Sequence, residues 1–120
     1  MELIVYDLGD VRVVEGPPGQ PLMRQASAVT AVLEACFEHR ARALLLYPEN
    51  LTERFFDLSS GEAGAILQKL RDYRIRLAVV GSPELRLSRR FGELLADEHR
   101  GSHFRLLDTR AAAQEWLATG

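Results

Sequence analysis

The residues of this chain best suited to chemistry or regulation stand at Asp57-Leu58-Ser59-Ser60-Gly61-Glu62-Ala63-Gly64, where two adjacent hydroxyls, two carboxylates and two glycines precede an apolar helical run. Ser59 and Glu62 have the Ser-x-x-Glu spacing of a capping box. In such a box the serine accepts from the backbone N–H three residues on, while the glutamate reaches back to the serine's own N–H. With Ser59 as the cap, Ser60 becomes the first helical residue and its hydroxyl is left unused. Gly61 and Gly64 give the first turn a face without side chains, which another backbone or a partner can approach closely.

Other groups fit enzymatic or metal chemistry poorly. A serine nucleophile needs a base within hydrogen-bond reach and a sharp strand-to-helix elbow. Gly-x-Ser-x-Gly is absent, and the plausible bases His99 and His103 lie at the far end of a different helix. Those two histidines have the spacing of a helical metal pair, but Gly101 between them should end the helix and separate the rings. Gly61-x-x-Gly64 lacks the lysine and outer glycine of a phosphate-binding loop. Cys36 is the single cysteine, so no intrachain disulfide can form, and its place on an apolar helix face makes it a small buried hydrophobe. Arg86, Arg89 and Arg90 form a local basic patch, which reads as a solvated face. No catalytic, metal-binding or cofactor-binding residue is assigned.

The elements that must position these groups follow from local pattern. Leu3 to Leu8 and Val11 to Val14 are short β-rich runs joined by Gly9-Asp10, a two-residue hairpin signal. The proline-rich segment from Gly16 to Pro21 cannot continue a strand. From about Gln25 to Arg40, Ala26, Val29, Val32, Leu33, Cys36 and Phe37 recur at three- and four-residue steps, predicting an amphipathic helix. Arg42 to Tyr47 holds an unbroken apolar run of the kind a strand covered on both faces requires, ended by Pro48, with a short helical turn expected around Leu51 to Phe56. A second helix turns Ala63, Ile66, Leu67, Leu70 and Tyr73 inward. Leu77 to Val80 is another buried strand, a third helix carries Phe91, Leu94 and Leu95, and Phe104 to Leu107 is the last strand. Asp108 or Thr109 can cap a final helix whose face is Ala112, Ala113, Trp116 and Leu117. Strands alternating with helices imply right-handed crossovers and a mostly parallel sheet of about five strands with about four helices, the hairpin adding the antiparallel member.

Composition sets the class. A chain of 120 residues, 47% hydrophobic and with net charge −2, makes one soluble domain over residues 1–120. No apolar stretch is long enough to span a bilayer, and the acidic start Met-Glu-Leu-Ile-Val-Tyr-Asp lacks the basic residues of a signal peptide, so a cytoplasmic location is expected. A pI of 5.9 argues against a general nucleic-acid binder.

The segment from Asp57 to Gly64 resembles the Asp-Ser-Ser/Thr-Gly-Leu-Gly signature of STAS domains, the anti-sigma factor antagonist fold, with Leu58 inserted after the acid. The strand ending Leu77-Ala78-Val79-Val80-Gly81 and the segment Phe104 to Thr109 before an Ala-rich helix fall where that fold has them. A closer resemblance, to the bacterial domain of unknown function 4180, is carried by Pro48-Glu49-Asn50-Leu51, Phe55-Phe56-Asp57-Leu58, Ala63-Gly64, Ile66-Leu67-Gln68-Lys69, Tyr73-Arg74-Ile75 and Leu77 to Gly81. These resemblances imply an α/β, STAS-like layered sandwich. The STAS likeness further implies phosphorylation at the hydroxyl before the first signature glycine, which is Ser60. The leading expectation is a non-enzymatic interaction or regulatory module that docks an unidentified protein through Phe56, Asp57, Ser59, Ser60, Gly61 and Gly64; a purely structural homodimerisation unit is a separate reading. The alternative is a small-molecule binding protein or minor enzyme with a crevice at the carboxyl ends of the strands, for which the family match suggests Asn50, Gln68 and Tyr73 as contacts.

Overall fold

In the computed structural model, which describes residues 3–22, 28–51, 61–81, 92–94, 96 and 101–119, the hairpin forms as the sequence predicts. Strand β1 (Ile4–Leu8) pairs antiparallel with β2 (Val11–Glu15), and Leu8 faces Val11 across the two-residue turn. Strands β3 (Ala43–Leu46), β4 (Arg76–Val80) and β5 (Phe104–Leu107) then add in parallel, so the five-stranded mixed sheet has the order β1-β2-β3-β4-β5. The protein is of the α/β class.

Because neighbouring parallel strands follow one another in sequence order, right-handed crossovers place successive helices on the same face of the sheet. Helices α1 (Val29–Glu38) and α2 (Glu62–Asp72) obey this rule. Val32, Leu33 and Cys36 of the first and Ala63, Ile66, Leu67 and Leu70 of the second share one core with Val14, Leu44, Leu46, Leu77, Val79 and Phe104. Side chains alternate across a strand, so Val13, Ala43, Leu45 and Ala78 point the other way. That second face is covered by α3 (Arg110–Ala118) through Ala113 and Leu117. All four residues of β3 are buried, as a strand covered on both faces requires. Of the helix predicted between β4 and β5, residues 92–94 are helical and Leu94 packs against the first core; Phe91 and Leu95 lie outside the described residues.

Two local expectations need correction. Phe37 and Tyr73, predicted to point inward, are 50% and 49% exposed. Cys36 and Leu70 beside them on the same helices are buried, so the two residues stand at the margin of the buried stripes, where their rings cover each other edge to face with centroids 5.2 Å apart. The second helix begins later than a Ser59 cap requires. Gly61, which that cap would make helical, sits at φ +79 and is itself the N-cap, with no side-chain capping bond. Glycine takes this left-handed conformation without steric cost, so the chain turns into the helix at Gly61. A 3₁₀ turn forms at Pro48–Asn50, with proline at its first position where no N–H is needed; of the helical turn expected around Leu51 to Phe56, residues 52–56 lie outside the described residues. The Thr109 cap does form: its Oγ1 accepts from the Ala112 N–H at 3.1 Å. Among the described residues no helix is long and apolar enough to cross a membrane.

Candidate functional site

The carboxyl ends of the parallel strands carry two buried polar clusters. The first follows from strand parity. Tyr6 faces Val13 across the hairpin, so it shares the α3 side of the sheet with Val13, Glu15, Leu45 and Tyr47. Glu15, the last residue of β2, is only 2% exposed. Its Oε1 accepts from Tyr6 Oη at 2.5 Å and its Oε2 from Tyr47 Oη at 2.9 Å. Arg110 opens α3 and donates to both oxygens, Nε at 3.1 and 3.2 Å and Nη2 at 3.0 Å. Gln114, one turn on, donates to Tyr6 Oη at 3.0 Å.

Burial alone would raise the Glu15 pKa. The hydrogen bonds from Arg110, Tyr6 and Tyr47 outweigh it, and the carboxyl is held below its ordinary value. Burial first, and then the adjacent Glu15 carboxylate, push the Tyr47 phenol up to about 12. A general acid or base needs a pKa near the working pH and a lone pair or proton to offer a substrate. Glu15 is shifted away from neutrality and both its oxygens are occupied, so the cluster behaves as a fixed charge that fastens α3 to the sheet.

The second cluster is centred on Asn50, which has no exposed surface. Its Oδ1 accepts from the Tyr47 N–H at 2.7 Å, and its Nδ2 donates to the carbonyls of Pro17 and Gln20 at 2.7 and 2.9 Å. One carboxamide thus ties the end of β3 to the proline-rich loop that follows β2. Gly16 makes the close approach that this needs: a Cβ there would lie 2.5 Å from Asn50 Oδ1 and 2.9 Å from Leu46 Cδ2. Gly16→Ala is therefore expected to destabilise by about 1–3 kcal/mol through overpacking. The check is the urea midpoint at unchanged m-value, and a wild-type midpoint would show that the loop can move aside.

The suggested small-molecule contacts are not brought together. Asn50 lies beyond the carboxyl end of β3 and is engaged within the fold. Gln68 is exposed on α2 and donates to Asp72 at 2.7 Å. Tyr73 caps the other end of α2, at the amino ends of the strands, with Lys69 Nζ 5.8 Å above its ring. Nor does the parallel part of the sheet reverse its strand order, which is where doubly wound sheets open a ligand crevice.

Of the partner-facing residues, Phe56, Asp57, Ser59 and Ser60 lie outside the described residues. Gly61 and Gly64 are exposed, and a Cβ at either would meet nothing within 4 Å among the described residues. Cys36 is fully buried, and desolvation pushes its thiol up to about 11. Among the described residues no three His, Cys, Asp or Glu side chains are grouped to hold a metal ion.

The Glu15 cluster was missed by reasoning from sequence. A usable signal was present: a lone carboxylate at a strand position whose parity points inward, with tyrosines of the same parity on one neighbouring strand and just past the end of the other. No curated protein matches the chain. A family model described as a domain of unknown function (DUF4180) matches residues 8–117, nearly the whole chain and every strand and helix described above except the first strand, which it enters at its last residue, and the end of α3. The chain belongs to the DUF4180 family.

Proposed function

We propose that this protein is a cytoplasmic, non-enzymatic regulatory module of bacterial, STAS-like type, which docks a protein partner through the start of α2 and is switched by phosphorylation of Ser60. The observation that carries the reading is Gly64. A glycine inside a helix costs roughly 0.5–1 kcal/mol relative to alanine. Gly61 has its left-handed backbone as a reason to be glycine, but Gly64 is helical and exposed, and among the described residues it has no neighbour that a methyl group would strike. Nothing inside the described fold offsets its cost. Close approach of another chain to the first turn of α2 would. The order of strands and helices, with a final strand leading into the Ala-rich α3, supports the STAS-like comparison. A phosphate on the hydroxyl beside Gly61 would place about −1.5 to −2 charges against such a contact.

Gly64→Ala should stabilise the free protein by about 0.5–1 kcal/mol and yet weaken partner capture, a combination that a purely structural glycine does not produce. Affinity capture from the native host's lysate, quantified by mass spectrometry, should recover a protein with wild type that is lost with Gly64→Arg and with Ser60→Glu. Equal capture by all three, with folding verified by circular dichroism, would overturn the proposal.

A further inference from the structure

Helices α1 and α2 enter the strands that follow them by the same route. After α1 come Arg40-Ala41-Arg42, and after α2 come Arg74-Ile75-Arg76. In each, the first arginine takes a left-handed backbone, φ +56 at Arg40 and φ +58 at Arg74. The middle residue, Ala41 or Ile75, is buried and its N–H returns to the helix, to Cys36 O at 2.8 Å and to Leu70 O at 2.9 Å. This is a Schellman closure, whose left-handed position is normally held by glycine because a Cβ is disfavoured there. Two arginines occupy it instead. Each motif's second arginine leads into the next strand, and the Arg76 N–H bonds to Arg42 O at 2.9 Å, so the two motifs lie side by side at the amino edge of the sheet.

Together they border an open depression of about 1060 Å³, whose lining includes Arg12, Arg40, Arg42, Tyr73, Arg74, Arg76 and His103. Two of these cations are engaged. Arg12 forks onto Asp7 at 2.8 and 3.3 Å. Arg76 donates to the carbonyls of Ser102, Trp116 and Leu117 and stacks 4.2 Å over the Trp116 ring. Arg40, Arg42 and Arg74 are exposed, and among the described residues their guanidinium groups have no partner. His103 also lines the depression; its Nδ1 is buried and has no hydrogen-bond partner among the described residues. Five arginines thus face two aspartates, Asp7 and Asp10, in a chain of net charge −2.

Cations after a helix complement its negative end. That accounts for a positive charge near Arg40 and Arg74, but not for placing it on a backbone that favours glycine, nor for Arg42 in the same array. Guanidinium forks match phosphate oxygens bidentately. The concave shape and volume suit a small ligand, and the acidic balance of the chain disfavours a long polyanion such as nucleic acid.

We infer that the depression at the amino ends of the strands, framed by the paired Arg-x-Arg turns, binds a small ligand carrying two or more phosphate groups. This site is separate from the start of α2 and stands whether or not a partner docks there. The phosphate chain can be bare or carried by a nucleoside whose base would lie on the half-exposed Tyr73 ring. Isothermal titration of the full chain at physiological ionic strength with tripolyphosphate, ATP and citrate tests the inference. Both phosphate probes should bind at least tenfold more tightly than citrate. Equal binding of the two would identify the phosphate chain as the ligand, whereas tighter binding of ATP, abolished by Tyr73→Ala, would identify a nucleotide. Arg40→Gly/Arg74→Gly suits the left-handed backbone, so it should melt no lower than wild type while losing at least tenfold in affinity. Arg42→Ser, at an exposed position, should weaken binding independently. Failure of both phosphate probes to bind, citrate binding as tightly, or unchanged affinity in the glycine variant and in Arg42→Ser would overturn it.

Discussion

Asn50→Asp is expected to destabilise the protein by at least about 3 kcal/mol at neutral pH, although it exchanges one NH₂ group for an oxygen. The Asn50 Nδ2 is the donor to two backbone carbonyls at 2.7 and 2.9 Å, in a position with no exposed surface. An aspartate would present an acceptor to both and bury a charge without a counterion. Its folded pKa would consequently rise above the unfolded value of about 3.9. The sign follows: protonation favours the folded state, so the penalty is smallest below about pH 4 and grows as pH rises through the elevated folded pKa. Asn50→Ala loses the same hydrogen bonds without creating a charge, and its penalty should not depend on pH. Denaturant unfolding of wild type and both variants at acidic and neutral pH, compared as differences from wild type at each pH, decides the matter. A pH-independent loss in Asn50→Asp would mean that water or loop movement relieves the carboxylate.

Glu15→Ala should cost about 1–3 kcal/mol, the range for leaving buried hydrogen-bonding groups without their partner, because Arg110 is half-exposed and water would take it up. The loss would strand two phenols that donate to the carboxylate and release Arg110 from the sheet. Glu15→Gln keeps the shape and should cost less. The wild-type acid limb depends on the same residue. Because the folded pKa of Glu15 is lowered, its contribution is present above the unfolded carboxyl value and is lost as pH falls through the folded one. Glu15→Gln should flatten that limb. At the alkaline end the raised phenol of Tyr47 works in the opposite sense. Its contribution is present below the ordinary tyrosine value of 10 and is lost as pH rises through about 12. Melting temperature against pH for wild type and Glu15→Gln reads both limbs, and coincident acid limbs would remove Glu15 from the account.

The elements were legible because their causes are local. Leu44 to Leu46 could only be a strand buried on both faces, Gly9-Asp10 could only turn tightly between two β-rich runs, and Val32, Leu33 and Cys36 lie at helical spacing. Phe37 and Tyr73 were misread because periodicity does not reveal how wide a stripe of each helix the core covers, and both stand at its margin. Ser59 was misread as the cap because the capping-box spacing ignores backbone sign, and the positive φ of Gly61 decided where α2 begins. Asn50 was visible only as a polar contact, since its partners Pro17 and Gln20 belong to a loop far away in sequence. The Glu15–Arg110 pair joins the end of the second strand to the start of the last helix, a contact that exists only after the intervening strands have stacked.

Helix α3 is thereby riveted at both extremities by arginines on opposite partners. Its own Arg110 reaches the sheet at one end, and Arg76 of β4 holds the carbonyls of Trp116 and Leu117 at the other. The molecule's sole tryptophan lies under that second rivet, beneath a guanidinium 4.2 Å away. Its fluorescence is thus a built-in strain gauge for the Arg76 fastening alone, and a helix that lifts from the Glu15 end first would leave tryptophan emission unchanged, with Tyr6 and Tyr47 reporting instead.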